Sequence, residues 1–160
     1  MQFSRRSEYG VRVMTELALH YGQGPIPLSE IARDEQLPLP YLEQIVALLR
    51  RAGLVRSHHG VHGGYELSRE PSAIRMSDVL EVLEGSIAPM ICAPIDGGQL
   101  LCARESFCGS KTLWWKIRDA IAQTLRATTL ADLVVTTPEA PARGTPLPVI
   151  AATRTRAIEQ

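Results

Sequence analysis

Residues 26–55 read IPLSEIARDEQLPLPYLEQIVALLRRAGLV, two helical patterns flanking a break. Ser29 is a candidate N-cap for a short helix that carries Ile31 and Ala32 and runs to about Gln36. The LPLP at 37–40 interrupts it, because a residue before proline avoids the helical region. Pro40 suits the first turn of a second helix, where its missing N–H costs nothing. Leu42, Ile45, Val46 and Leu49 give that helix a buried face, and Gly53 is placed to end it. Its other face carries Tyr41, Glu43, Gln44, Ala47, Arg50 and Arg51. Two short helices joined by a tight turn, the second polar and basic on its outer face, have the layout of a helix-turn-helix.

What flanks this stretch agrees. Downstream, LVRS and YELS alternate around the glycine-rich HHGVHGG at 58–64, which predicts a β-hairpin wing. Upstream, SRRSEYGVRVMTELALHYG places Tyr9, Val13, Met14, Leu17, Ala18 and Tyr21 on one stripe, with Ser4 as N-cap and Gly22 and Gly24 as its end. MSDVLEVLEGS at 76–86 predicts a further helix with Ser77 as cap, Met76 as staple residue and Gly85 as stop. Trp114, Ile117, Ile121, Leu125 and Thr128 then mark a stripe along a long helix that needs a partner. From Thr136 onward four prolines and no helical period predict a flexible tail.

Composition sets the class. The chain has 160 residues, 45% of them hydrophobic and 21% charged, enough for the core of one soluble domain with an appendage. The N-terminus lacks the apolar run of a signal peptide, and no window is long enough to span a bilayer, so a cytoplasmic protein is expected. Formal net charge is zero, yet residues 44–65 hold no acid while carrying Arg50, Arg51, Arg56, His58, His59 and His62. A neutral chain can thus present a local basic face to phosphate. There is no phosphate loop and no nucleophile–base constellation, so an enzyme is not expected.

All three cysteines lie within CAPIDGGQLLCARESFC at 92–108, with gaps of nine and five residues. In a reducing compartment a cysteine cluster points to metal or redox chemistry rather than a structural disulfide. Thiolates suit iron–sulfur clusters, zinc and copper(I). The gaps are wider than those of compact zinc knuckles. Burial as small hydrophobes is the plain alternative. A cluster held by four protein ligands needs one more donor, and spacing does not choose among His20, Asp96, Glu105 and Glu8. The three wing histidines are a second, weaker metal candidate.

In their order, RRSEYGVRVMTELAL, the 27–57 stretch with Tyr41-Leu42-Glu43-Gln44, Gly63-Gly64-Tyr65, and three cysteines ahead of LWWKIRDAI and TLADLV resemble the Rrf family of winged-helix iron–sulfur regulators, the IscR and NsrR type. The resemblance covers about residues 1–135. It implies a mainly α fold with a small β-wing: a winged helix-turn-helix domain at 1–85, a cluster-binding loop at 86–109, a dimerisation helix and short following helix at 110–135, and the tail at 136–160. It further implies a homodimeric, cluster-dependent DNA-binding repressor that senses cluster supply, redox state or nitric oxide. Cys92, Cys102 and Cys108 fall on the three ligand positions. Where IscR-like members place a histidine as fourth ligand this chain has Lys111, whereas Glu8 matches the acidic ligand of NsrR-like members. The longer first gap leaves a two-iron and a four-iron cluster both open.

On this reading Tyr41, Glu43 and Gln44 face base edges of a pseudo-palindromic duplex, and Ser4, Arg5, Arg50, Arg51, Arg56 and His59 contact its backbone or minor groove. Trp114, Ile117, Ile121 and Leu125 form the dimer interface. No membrane and no small-molecule substrate are expected. A cluster-free thiol–disulfide switch and an electron carrier are the alternative functions.

Overall fold

In the computed structural model the described residues are 3–61, 63–85, 87, 93 and 108–136. His62, Cys92, Asp96, Cys102, Glu105 and the expected tail at 136–160, apart from Thr136 at the end of the last helix, lie outside them.

Among the described residues, six helices and one hairpin follow in the order α1 (Arg5–Leu19), α2 (Leu28–Asp34), α3 (Leu39–Arg51), β1 (Val55–His58), β2 (Gly64–Leu67), α4 (Met76–Glu84), α5 (Lys111–Ala127) and α6 (Leu130–Thr136), with a 3-10 turn at Pro71–Ala73. Ser4 caps α1, its Oγ accepting the Ser7 N–H at 3.3 Å. Val13, Met14, Leu17 and Ala18 are buried as their spacing predicts. Tyr21, expected on the same stripe, lies past the helix end and is 46% exposed.

The core converges on α3. Leu42, Ile45, Val46 and Leu49 are fully buried against Val13, Met14, Ile31, Leu67, Val79 and Leu83. Both α2 and α3 end in the same backbone arrangement. After α2, Gln36 N–H reaches Arg33 O at 3.2 Å and Leu37 N–H reaches Ala32 O at 2.8 Å; after α3, Gly53 N–H reaches Arg50 O and Leu54 N–H reaches Leu49 O, both at 3.0 Å. The position after the α2 cap is held by Gln36 at φ 54, a left-handed residue with a side chain, which costs about 1 kcal/mol. Arg12 of α1 secures that turn, its Nε lying 2.7 Å from Glu35 Oε2 and its Nη2 donating to the Glu35 carbonyl.

Two expected caps are corrected. Helix α2 starts at Leu28 with Pro27 as cap residue, and α4 starts at Met76 with Arg75 as cap residue, so Ser29 and Ser77 both sit inside their helices and cap nothing. Tertiary pairing sets both starts. Ile26 pairs with Tyr65 of β2 just ahead of α2, and Arg75 pairs with Thr129 just ahead of α4. Each helix therefore begins where a paired backbone releases it.

The hairpin is antiparallel, with Val55 opposite Leu67 and His58 opposite Gly64. Val55 and Leu67, each 2% exposed, seat it on the core. Gly64 lets it come close, since a Cβ there would lie 2.4 Å from the Ile26 carbonyl carbon and oxygen.

Helix α6, expected to belong with α5, packs on α1 and the 3-10 turn, and Leu130 is fully buried in the N-terminal core. Thr129 and Asp132 cap it reciprocally: Asp132 Oδ2 accepts from Thr129 N at 2.7 Å and Thr129 Oγ1 at 2.8 Å. Helix α5 differs from the rest. Ala122 is the single buried residue among its described positions, and Leu113 is 54% exposed.

Candidate nucleic-acid interface and cysteine segment

With one face of α3 sealed, its other face is free to meet a partner. Glu43 and Gln44 are exposed in its first half, and Arg50 and Arg51 are exposed in its last turn. Tyr41, expected to point outward with them, is half-buried instead and packs edge-on against Tyr9, ring centroids 5.8 Å apart at 78°. It therefore ties α3 to α1 as well as flanking the outer face.

The wing lies beside the C-terminal end of α3, where Arg50 Nη1 reaches Ser57 Oγ at 3.5 Å. Arg56 is exposed but donates through Nη2 to the Ser68 carbonyl. His58 Nε2 lies 2.8 Å from Glu66 Oε1, a cross-strand contact that occupies one of the three wing histidines. His59 is exposed at the tip. Beside it Val61, an apolar residue at the wing tip between Gly60 and His62, is 98% exposed.

The α1 end of this surface is arranged differently from expectation. Ser4 spends both of its capping groups internally: its Oγ on Ser7 N–H, its own N–H on Glu84 Oε1 at 2.7 Å. Arg5 stays exposed. Arg6 joins Ser4, Tyr41, Gln44, Ile45 and Leu48 around a groove of about 230 Å³, with its Nε buried and lacking a hydrogen-bond partner. Arg6 was not singled out from sequence, where it is one arginine of a pair.

Of the cysteines, Cys108 is described. It is partly exposed just ahead of α5, with Sγ 3.3 Å from Ser110 Oγ. Glu8 is exposed on the first turn of α1. Lys111 lays its ammonium over the Trp115 ring at 4.8 Å, and Arg118 approaches the same ring at 4.8 Å. Both cations thus lie against one aromatic ring near the start of α5. Among the described residues no three His, Cys, Asp or Glu side chains gather as a metal site.

Along α5, Trp114, Ile117, Ile121 and Leu125 are half-buried within the single chain. Phe3, 45% exposed, borders an almost wholly apolar groove of about 330 Å³ with Ala120, Ile121, Thr124 and Leu125.

Residues 3–136 match the Rrf2 family model, described as an iron-dependent transcriptional regulator. The chain belongs to the Rrf2 family. Curated relatives of this Rrf2 protein include the HTH-type transcriptional regulator CymR of Bacillus subtilis, 43% identical over 83% of this chain and 89% of CymR. The HTH-type transcriptional regulator IscR of Yersinia pseudotuberculosis is 35% identical over 84% of this chain and 79% of IscR. Among solved structures, that of B. subtilis CymR, described as the global cysteine regulator, superposes with TM-score 0.75 at 41% identity, covering 86% of this chain and 99% of CymR. That of T. potens IscR gives TM-score 0.68 at 39% identity, covering 84% and 87%. The Rrf2 protein is thus a transcriptional regulator with the winged-helix architecture expected from its sequence, and its relatives are regulators rather than enzymes. No helix among the described residues is long and apolar enough to cross a membrane.

Proposed function

We propose that this Rrf2 regulator acts in the cytoplasm as a homodimeric repressor that reads a pseudo-palindromic duplex with α3 and has its affinity set by an iron–sulfur cluster. The observation that carries the DNA reading is the division of α3 into a fully buried apolar face and an exposed face bearing Glu43, Gln44, Arg50 and Arg51. The amide of Gln44 suits adenine, and the carboxylate of Glu43 accepts from cytosine. Arg5, Arg50, Arg51 and Arg56 supply the phosphate contacts, while Ser4 buttresses α1 from within. His59 and Val61 at the wing tip meet the adjoining groove. Replacing Gln44 by alanine should weaken binding by about 1–2 kcal/mol and relax preference at one base pair. Binding isotherms on duplexes varied at single positions check this.

The donor set fits a cluster chemically: three thiolates from Cys92, Cys102 and Cys108, with the exposed carboxylate of Glu8 as fourth donor. A bound cluster supplies sensitivity to oxidants, nitric oxide and iron supply. The chain's own part is to offer soft donors ahead of α5 and a hard one on α1. Protein purified without oxygen should carry iron and sulfide in comparable amounts, and cluster-loaded and cluster-free forms should differ at least about tenfold in DNA affinity, about 1.4 kcal/mol. Equal affinities would end the cluster-dependent reading.

A thiol–disulfide switch is the second reading. It is favoured by the 43% identity to CymR and by the likeness, TM-score 0.68 at 36% identity, to Staphylococcus aureus CymR solved in an oxidized form. Iron-free protein whose DNA affinity follows added oxidant and reductant would select it.

A further inference from the structure

Glu84 is the last residue of α4, and the chain passes from it through Gly85, at φ 76, toward the segment that holds all three cysteines. Any change of chemical state in that segment bears on the DNA-reading unit through this junction on its N-terminal side. The junction is fastened to one place. Glu84 Oε1 accepts the Ser4 backbone N–H at 2.7 Å, closing the start of α1. One residue earlier, Leu83 is fully buried against α1, and a Cβ at Gly10 would lie 2.4 Å from Leu83 Cδ1. The last turn of α4 therefore has no slack against α1.

The α1 start in turn touches the recognition surface. Ser4 and Arg6 share their groove with Tyr41 and Gln44, and Tyr9 packs on Tyr41. Burial opposes ionisation of the Glu84 carboxyl. The Ser7 hydroxyl, the Ser4 N–H and hydroxyl, and the Arg6 charge outweigh it and hold the group below the usual carboxylate range. Ser7 Oγ makes no bond of full hydrogen-bonding geometry, so its part is that of a nearby dipole. An anion at a helix N-terminus is also favoured by the helix dipole.

We propose that Glu84 is a positioning residue: its bond to Ser4 couples the state of the cysteine segment to the first turn of α1 and so to Tyr41 and Gln44. This rests on the DNA-binding, cysteine-gated reading above, but holds for a cluster or a disulfide alike. While Glu84 sits on Ser4, the α1 start is fixed beside α3. A state that draws Gly85 away breaks the bond and loosens the α1 start and the edge of the recognition surface together.

The test uses the full chain as wild type, Glu84→Ala, Glu84→Gln and the control Glu81→Gln, which changes an exposed residue of the same helix. Each is prepared in both cysteine states, with melting temperature and iron content recorded. The probe is a duplex selected from random sequence by the wild-type protein. Two readouts are taken: hydrogen exchange at the Ser4 amide, and the ratio of DNA affinities between the two states. Wild type and Glu81→Gln should show a ratio of about tenfold or more, and Ser4 exchange should differ between states by about tenfold. Glu84→Ala should keep its cofactor and fold, exchange fast in both states, and show a ratio under about threefold. Glu84→Gln, which retains an acceptor oxygen without the charge, should fall between, and decides the matter if Glu84→Ala fails to fold. A wild-type-like ratio in both variants overturns the proposal. A wild type without any affinity ratio refutes the gated reading itself. In that case Glu84 stands or falls on the exchange data, and equal Ser4 exchange in the two wild-type states overturns it.

Discussion

Replacing Ile121 by aspartate is expected to give a folded monomer that binds the selected palindromic duplex at least about a hundredfold more weakly than wild type, about 2.7 kcal/mol. The argument begins from the uneven burial of α5. The main core cluster draws its buried residues from the stretch between α1 and α4, the wing included, and from Leu130 of α6, while α5 contributes only Leu125 at its edge. Helix α5 keeps Trp114, Ile117, Ile121 and Leu125 half-covered, and Ile121 lines an apolar groove with Phe3 and Leu125. A helix that leaves its stripe uncovered in one chain is suited to lie on its copy. A carboxylate at the centre of such a contact is unpaired and desolvated twice, once from each subunit. Without the dimer each recognition helix finds its half-site alone, and the gain from linked binding disappears. Light scattering reads the mass, and titration of whole and half operators reads the affinity. A variant that stays dimeric, or a monomer that binds the whole operator as tightly as wild type, would show that α5 has another role.

Replacing Gly64 by alanine should lower the stability of the fold by about 2–3 kcal/mol, read from the denaturant midpoint. The Cβ would meet backbone, not a movable side-chain end: 2.4 Å to the Ile26 carbonyl carbon and oxygen, 2.8 Å to Pro27 N. Relief requires opening the pair of bonds between Ile26 and Tyr65, 2.9 and 2.8 Å, that fasten the wing to the entry of α2. Both the wing and the start of α2 then lose their reference point, so DNA affinity should fall with stability. An unchanged midpoint would mean that the strand and the α2 entry separate without cost.

The same contact explains what the sequence does and does not disclose. Helix α3 is legible because its periodicity, its early proline and its terminal Gly53 agree with one another. The wing is legible from two alternating runs around glycines. The starts of α2 and α4 are not, because nothing local sets them: Ser29 and Ser77 are plausible caps that lose to backbone pairing from Tyr65 and Thr129, residues 36 and 52 positions away in sequence. Tyr41 is half-buried for a related reason. Its helical position points outward, but Tyr9 comes to meet it from another helix. Ser4 fulfils its capping role, yet its remaining donor is claimed by Glu84, eighty residues on. The cysteine positions are plain in sequence and their chemical type limits the partners. Their mutual placement depends on residues 92 and 102, which lie outside the described structure.

Helix α3 is fixed by four buried residues and by matching backbone turns before and after it, with no help from Glu43 or Gln44. If Glu43 and Gln44 read bases as proposed above, maintenance of the scaffold and choice of operator are written on separate letters of one short segment. Gene duplicates of such a regulator could then drift toward new promoters by trading those two letters, one at a time, through intermediates that all still fold.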